Sequence, residues 1–75
     1  MKNIDTSDQF IEFYKKKGDY LASLSENHFK NIEYRKGLKL LNEAYGMYMK
    51  GNHTELAENA KKRFLEIKEK YFKKK

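Results

Sequence analysis

Neither proline nor valine occurs anywhere in the 75 residues, and the β-branched class is reduced to four isoleucines and two threonines. Strands are built largely from β-branched and aromatic residues, whereas Leu, Lys, Glu and Ala favour helix. The chain is therefore expected to be all-α, a compact antiparallel bundle of three or four short helices.

A chain of this length is expected to form one domain over residues 1–75, since two halves would each fall below the size that folds without a disulfide or a metal. A core this small supplies roughly 3 to 5 kcal/mol, a shortage that a partner chain or a second copy would relieve. There is no cysteine. Disulfide frameworks, thiolate nucleophiles and cysteine zinc sites are thus excluded. No apolar run approaches the length of a membrane span, and Met1 to Gln9 lacks the basic start and apolar run of a secretion signal. The expectation is a cytoplasmic protein.

Apolar spacing and turn residues divide the chain into helices at about 6–17, 20–36, 38–50 and 53–72. Thr6 and Gln9 have the spacing of a capping box, and Asp5 and Asp8 suit the positive end of a helix dipole. Phe10, Phe13, Tyr14 and Lys17 share one face, with Ile11 beside it, and Gly18 reads as the stop. Leu21, Leu24, His28 and Ile32 form one stripe, and Leu38, Leu41, Tyr45 and Tyr48 another. Extended at 3.6 residues per turn, the two stripes disagree by roughly 140 degrees, which places a break at Gly37. Gly51 closes the next helix, and Asn52 with Glu55 forms a second capping-box-like pair. The final helix carries Ala57, Ala60, Phe64, Ile67 and Tyr71, the two alanines allowing close approach of a neighbour. Gly46 lies inside a helix, where it either permits a close crossing or sits on the surface.

Tyr14-Lys15-Lys16-Lys17-Gly18-Asp19 echoes Tyr48-Met49-Lys50-Gly51-Asn52 at an offset of 33 or 34 residues. With Phe29 and Phe64 near the same offset, the span Ala44 to Ile67 faintly resembles a tetratricopeptide repeat, two helices meeting at a glycine turn. The early Leu-Gly pair and the closing proline of that family are missing. The resemblance implies a peptide-binding or adaptor scaffold.

His28 and His53 are the only side chains that titrate near neutral pH, and their placement suggests a packed histidine and a helix-entry residue. No catalytic triad, metal spacing or phosphate-cradling loop can be assembled, so no enzymatic activity, metal or cofactor is expected. Charge is distributed unevenly: residues 1–60 hold nine basic and nine acidic side chains, and the net charge of +6 lies in the last fifteen residues. There Lys61, Lys62, Arg63, Lys68, Lys70, Lys73, Lys74 and Lys75 are candidates for non-specific nucleic-acid contacts, with Tyr71 and Phe72 for base stacking. Lys62–Glu66, Glu66–Lys70 and Glu69–Lys73 are four apart, however, and could pair on a solvated helix. Membrane-surface binding by this helix would compete with the core for its apolar face. Residues 73–75 are expected to fray.

Six tyrosines and five phenylalanines are more than four short helices can bury. Tyr34, Tyr45, Tyr48, Tyr71 and Phe72, with Met47 and Met49, are candidates for an exposed patch that holds a partner helix or a second copy. The function expected is a non-catalytic protein-interaction or regulatory module. The alternative is a basic accessory protein binding nucleic acid through its last helix.

Overall fold

The computed structural model describes the backbone of residues 3–72 and the side chains of residues 10–72. Three helices follow one another, α1 (Asn3–Lys30), α2 (Tyr34–Lys50) and α3 (Thr54–Tyr71). The fold is an all-α bundle of three helices, and the first is neither short nor interrupted. α2 packs against both neighbours, which themselves scarcely meet. At about 1.5 Å per residue α1 is about 42 Å long and α2 about 26 Å, so the start of α1 runs past the end of α2. The proposed Thr6–Gln9 capping box and the frayed tail at 73–75 lie outside the described side chains.

The breaks expected at Gly18 and Gly37 do not exist; the chain runs through both in helical conformation and turns instead at Asn31–Glu33. The two glycines serve packing. A Cβ placed on Gly18 would lie 2.5 Å from Cε1 of Tyr48, and one on Gly37 would lie 2.5 Å from Cδ1 of Phe29. Each helix of the α1–α2 pair thus offers a notch to an aromatic ring of the other. Gly18 and Phe29 are eleven residues apart in α1, as Gly37 and Tyr48 are in α2. Eleven residues make about three helical turns, which keeps notch and ring on one face. Gly46, by contrast, has nothing within 4 Å of a would-be Cβ and makes no close crossing.

Both turns use one hydrogen-bond pattern. The amide of Ile32 donates to the Phe29 carbonyl and that of Glu33 to His28, 3.0 and 2.8 Å; Asn52 donates to Met49 and His53 to Tyr48, 3.1 and 2.8 Å. The third residue of each set bonds back across five positions, which requires left-handed backbone in the residue before it. Ile32 and Asn52 supply it, with φ of 64° and 63°. Asn52 therefore ends α2 rather than capping α3, whose N-cap is His53 without a side-chain cap bond. Asn tolerates this conformation, whereas a β-branched residue there is strained by roughly 1–2 kcal/mol.

The core comprises Leu21, Phe29, Leu38, Leu41, Ala44, Tyr48, Ala57, Ala60 and Ile67. On α2, Gly37 and Tyr48 meet α1, while Tyr34 and Tyr45 meet α3. Ser25 is fully buried and donates its hydroxyl to the Ala22 carbonyl at 2.6 Å. A serine suits a tightly packed seam because its one donor can be satisfied within its own helix. No helix among the described residues is long and apolar enough to cross a membrane.

Candidate functional site

Because α1 and α3 flank α2 without closing on each other, a trough of about 440 Å³ opens between them. Its floor includes Leu41 and Tyr48, and its walls include Ala22 and Glu26 of α1 with Leu56 and Arg63 of α3. Arg63 bridges the walls: Nε and Nη2 donate to the two carboxylate oxygens of Glu26 at 2.8 and 2.9 Å, and Nη1 donates to Glu66 at 3.1 Å. This fork matches carboxylate geometry, and Glu26, then Glu66, raise the guanidinium pKa above its usual value. Arg63 also lies over the Phe29 ring at 5.6 Å. It clamps the two walls together and, unlike the neighbouring lysines, is already engaged by two carboxylates.

Tyr48 is likewise withdrawn from the expected exposed patch. Its side chain is 4 % exposed, seated against Gly18, and its hydroxyl donates to Asp19 at 2.5 Å. Asp19 also accepts from Lys15 at 3.1 Å. The Tyr48 hydroxyl, with Lys15 behind it, holds the Asp19 carboxyl below its usual range although burial pulls the other way. Burial, followed by the Asp19 carboxylate, pushes the Tyr48 phenol up.

The remaining aromatic candidates do not form one patch. Tyr34 and Tyr71 stack at 4.0 Å between ring centroids, with Phe29 6.3 Å from Tyr34. Hydrogen bonding with Tyr71 raises the Tyr34 phenol pKa. Phe72 joins them at the end of α3, lining a hollow with Tyr34 and Ile32. Tyr45 lies on another side, with Phe64, Leu65 and Lys61 around a cavity of about 220 Å³. Met47 is half-buried and Met49 exposed. Lys61, Lys62, Lys68 and Lys70 are exposed and form no ion pair among the described residues, so the expected Lys62–Glu66 and Glu66–Lys70 pairs are not made. Lys61 and Lys68 share a face of α3 while Lys70 points roughly opposite. Lys73, Lys74 and Lys75 lie outside the described residues.

The first helix carries the larger exposed surface. Phe10 and Phe13 are each 52 % exposed and Tyr20 is 62 % exposed. Spacings of three and seven residues put them along one side of α1. Tyr14 alone of that group turns inward, its ring 5.3 Å from Phe13 and 6.4 Å from Phe10, with the Lys50 ammonium 6.0 Å away. His53 Nε2 lies 2.9 Å from the Ile11 carbonyl. A carbonyl only accepts, so that nitrogen carries the proton and ties the second turn to α1. The overhang that exposes Phe10 and Phe13 follows from where α2 ends, which α1's own sequence does not encode.

His28 Nδ1 lies 2.6 Å from Glu33 Oε1 across the first turn, and this contact lowers the Glu33 pKa. Among the described residues, no three His, Asp or Glu side chains gather as a metal site. No protein-family model, curated protein or solved structure matches the chain.

Proposed function

We propose that the protein is a small non-catalytic interaction or regulatory module that holds a protein partner along α1. The observation that carries this reading is the stripe of Phe10, Phe13 and Tyr20, all at least half exposed on one side of a helix. Single exposed apolar side chains are ordinary, but three large aromatics along one side of a helix are of the kind enriched in interfaces. An amphipathic helix, laid against the stripe, would bury them at intervals matching its own turns. A second copy of the chain is one such partner. The adaptor scaffold implied by the tetratricopeptide resemblance agrees with this reading, supported by the α2–α3 hairpin and its buried Ala57 and Ala60.

The experiment is affinity capture and sedimentation velocity with the wild type and a Phe10→Ser/Phe13→Ser variant, whose changes lie outside the core. A partner or dimer kept by the wild type and lost by the variant supports the proposal. Equal retention by both contradicts it.

Non-specific nucleic-acid binding is the second reading, favoured by the unpaired Lys61, Lys62, Lys68 and Lys70. It predicts anisotropy-detected binding to labelled DNA or RNA at about 50 mM salt that collapses at about 200 mM. Neutralising those lysines would flatten the salt dependence, and no binding at low salt would remove this reading.

A further inference from the structure

The end of the molecule formed by the first turn, the start of α2 and the end of α3 differs from the rest in charge. Among the described side chains, segments 24–42 and 63–72 hold seven basic and four acidic residues, whereas segments 10–23 and 43–62 hold six and five. Most of those acids are engaged: Glu26 and Glu66 by Arg63, and Glu33 by His28. Lys30, Arg35 and Lys36 around the turn are exposed, and three more lysines follow Phe72 in the sequence.

At the tip of this basic end stands Ile32, 72 % exposed, the most exposed large apolar side chain among the described residues. Its left-handed backbone is one that a branched side chain disfavours, and the fold gains little burial from it. The equivalent position in the second turn is Asn52, which meets the same backbone demand without strain. Behind Ile32 lies a shallow hollow of about 360 Å³ whose lining includes Tyr34 and Phe72. An aliphatic wedge backed by aromatics and ringed by cations is what an interface between water, anionic headgroups and acyl chains accommodates.

We propose that this end docks onto an anionic lipid bilayer, with Ile32 entering the headgroup boundary and Lys30, Arg35 and Lys36 meeting lipid phosphates and carboxylates. The observations favour a bilayer over nucleic acid. Base stacking needs free aromatic faces, and Tyr34 and Tyr71 already spend one ring face on each other. The surface is separate from the Phe10–Phe13–Tyr20 stripe, so the two proposals fail or stand independently.

The test is flotation of the full chain with phosphatidylcholine vesicles, with and without phosphatidylserine, at about 50 and about 200 mM salt, beside a labelled oligonucleotide. Binding is expected only to vesicles containing phosphatidylserine, weaker at the higher salt. It should fall about tenfold in Ile32→Asn, which keeps the fold, and be retained in Ile32→Leu. Arg35→Gln/Lys36→Gln should weaken it further, and Phe10→Ser/Phe13→Ser should leave it unchanged. Absence of vesicle binding, equal binding by Ile32→Asn, or oligonucleotide binding that survives Ile32→Asn in place of lipid binding would each overturn the proposal.

Discussion

The two turns share a backbone and differ in what they ask of it. Each ends a helix that has just seated an aromatic ring in a glycine notch, Phe29 before the first and Tyr48 before the second. Each closes through the same pair of backbone hydrogen bonds and one residue of positive φ. In the second turn every side chain serves the fold: Asn52 accepts the left-handed conformation and His53 reaches the Ile11 carbonyl. The first puts an exposed isoleucine where the fold would be better served by Asn or Gly. Identical geometry thus carries a residue suited to its backbone in the second turn and one that is strained and exposed in the first.

The strongest way to break the comparison is to empty the notches. Phe29→Ala and Tyr48→Ala should each cost about 3–5 kcal/mol by chemical denaturation, enough to unfold a domain of this size. A loss below about 1 kcal/mol for either would show that the notch is not a core contact. Filling the notches is milder. Gly18→Ala and Gly37→Ala should destabilise by about 1–2 kcal/mol, the ring clash outweighing the gain in helix propensity. Gly46→Ala, with open space around it, should stabilise by up to about 1 kcal/mol in the same assay. If all three moved in the same direction, the packing role of Gly18 and Gly37 would be lost.

Importing the first turn's residue into the second sharpens the contrast: Asn52→Ile should lower stability by about 1–2 kcal/mol, seen as a fall of several degrees in thermal midpoint. The smallest effect separates the two notches by pH. The Asp19 pKa is lowered, so the stability it contributes is present above the ordinary carboxylate range near pH 4 and is lost as pH falls through the lowered value. The Tyr48 pKa is raised, so its contribution is present below about pH 10 and fades as pH rises beyond that. Tyr48→Phe should cost about 1 kcal/mol near neutral pH, lose the alkaline dependence and weaken the acid one, of which Lys15 keeps a share. An unchanged pH profile in Tyr48→Phe would exclude the Tyr48–Asp19 bond as their source.

Helical content, the stripes of Leu38, Leu41 and Tyr45 and of Ala57, Ala60 and Ile67, and the turn at Gly51 were legible in the sequence because period and composition act locally. The turn at Asn31–Glu33 was not. Glycine was read as a helix stop, whereas Gly18 and Gly37 owe their place to rings arriving from another helix. An isoleucine at a left-handed position carries no turn signal at all. Of the expected surface, Tyr34, Tyr71 and Phe72 do gather at one end, but Tyr48 faces inward. Arg63 was indistinguishable from its neighbouring lysines until Glu26, thirty-seven residues away, met it. The exposure of Phe10, Phe13 and Tyr20 depends on where α2 lies against α1, which the local pattern of α1 does not encode.

The most direct test of the central claim, that the first turn gives up stability for an exposed isoleucine, is the unfolding free energy of Ile32→Asn measured beside the wild type. A gain of about 1 kcal/mol is predicted, since Asn relieves the backbone strain and forfeits almost no burial. A loss of stability would show that Ile32 serves the fold itself, and the contrast between the two turns would disappear.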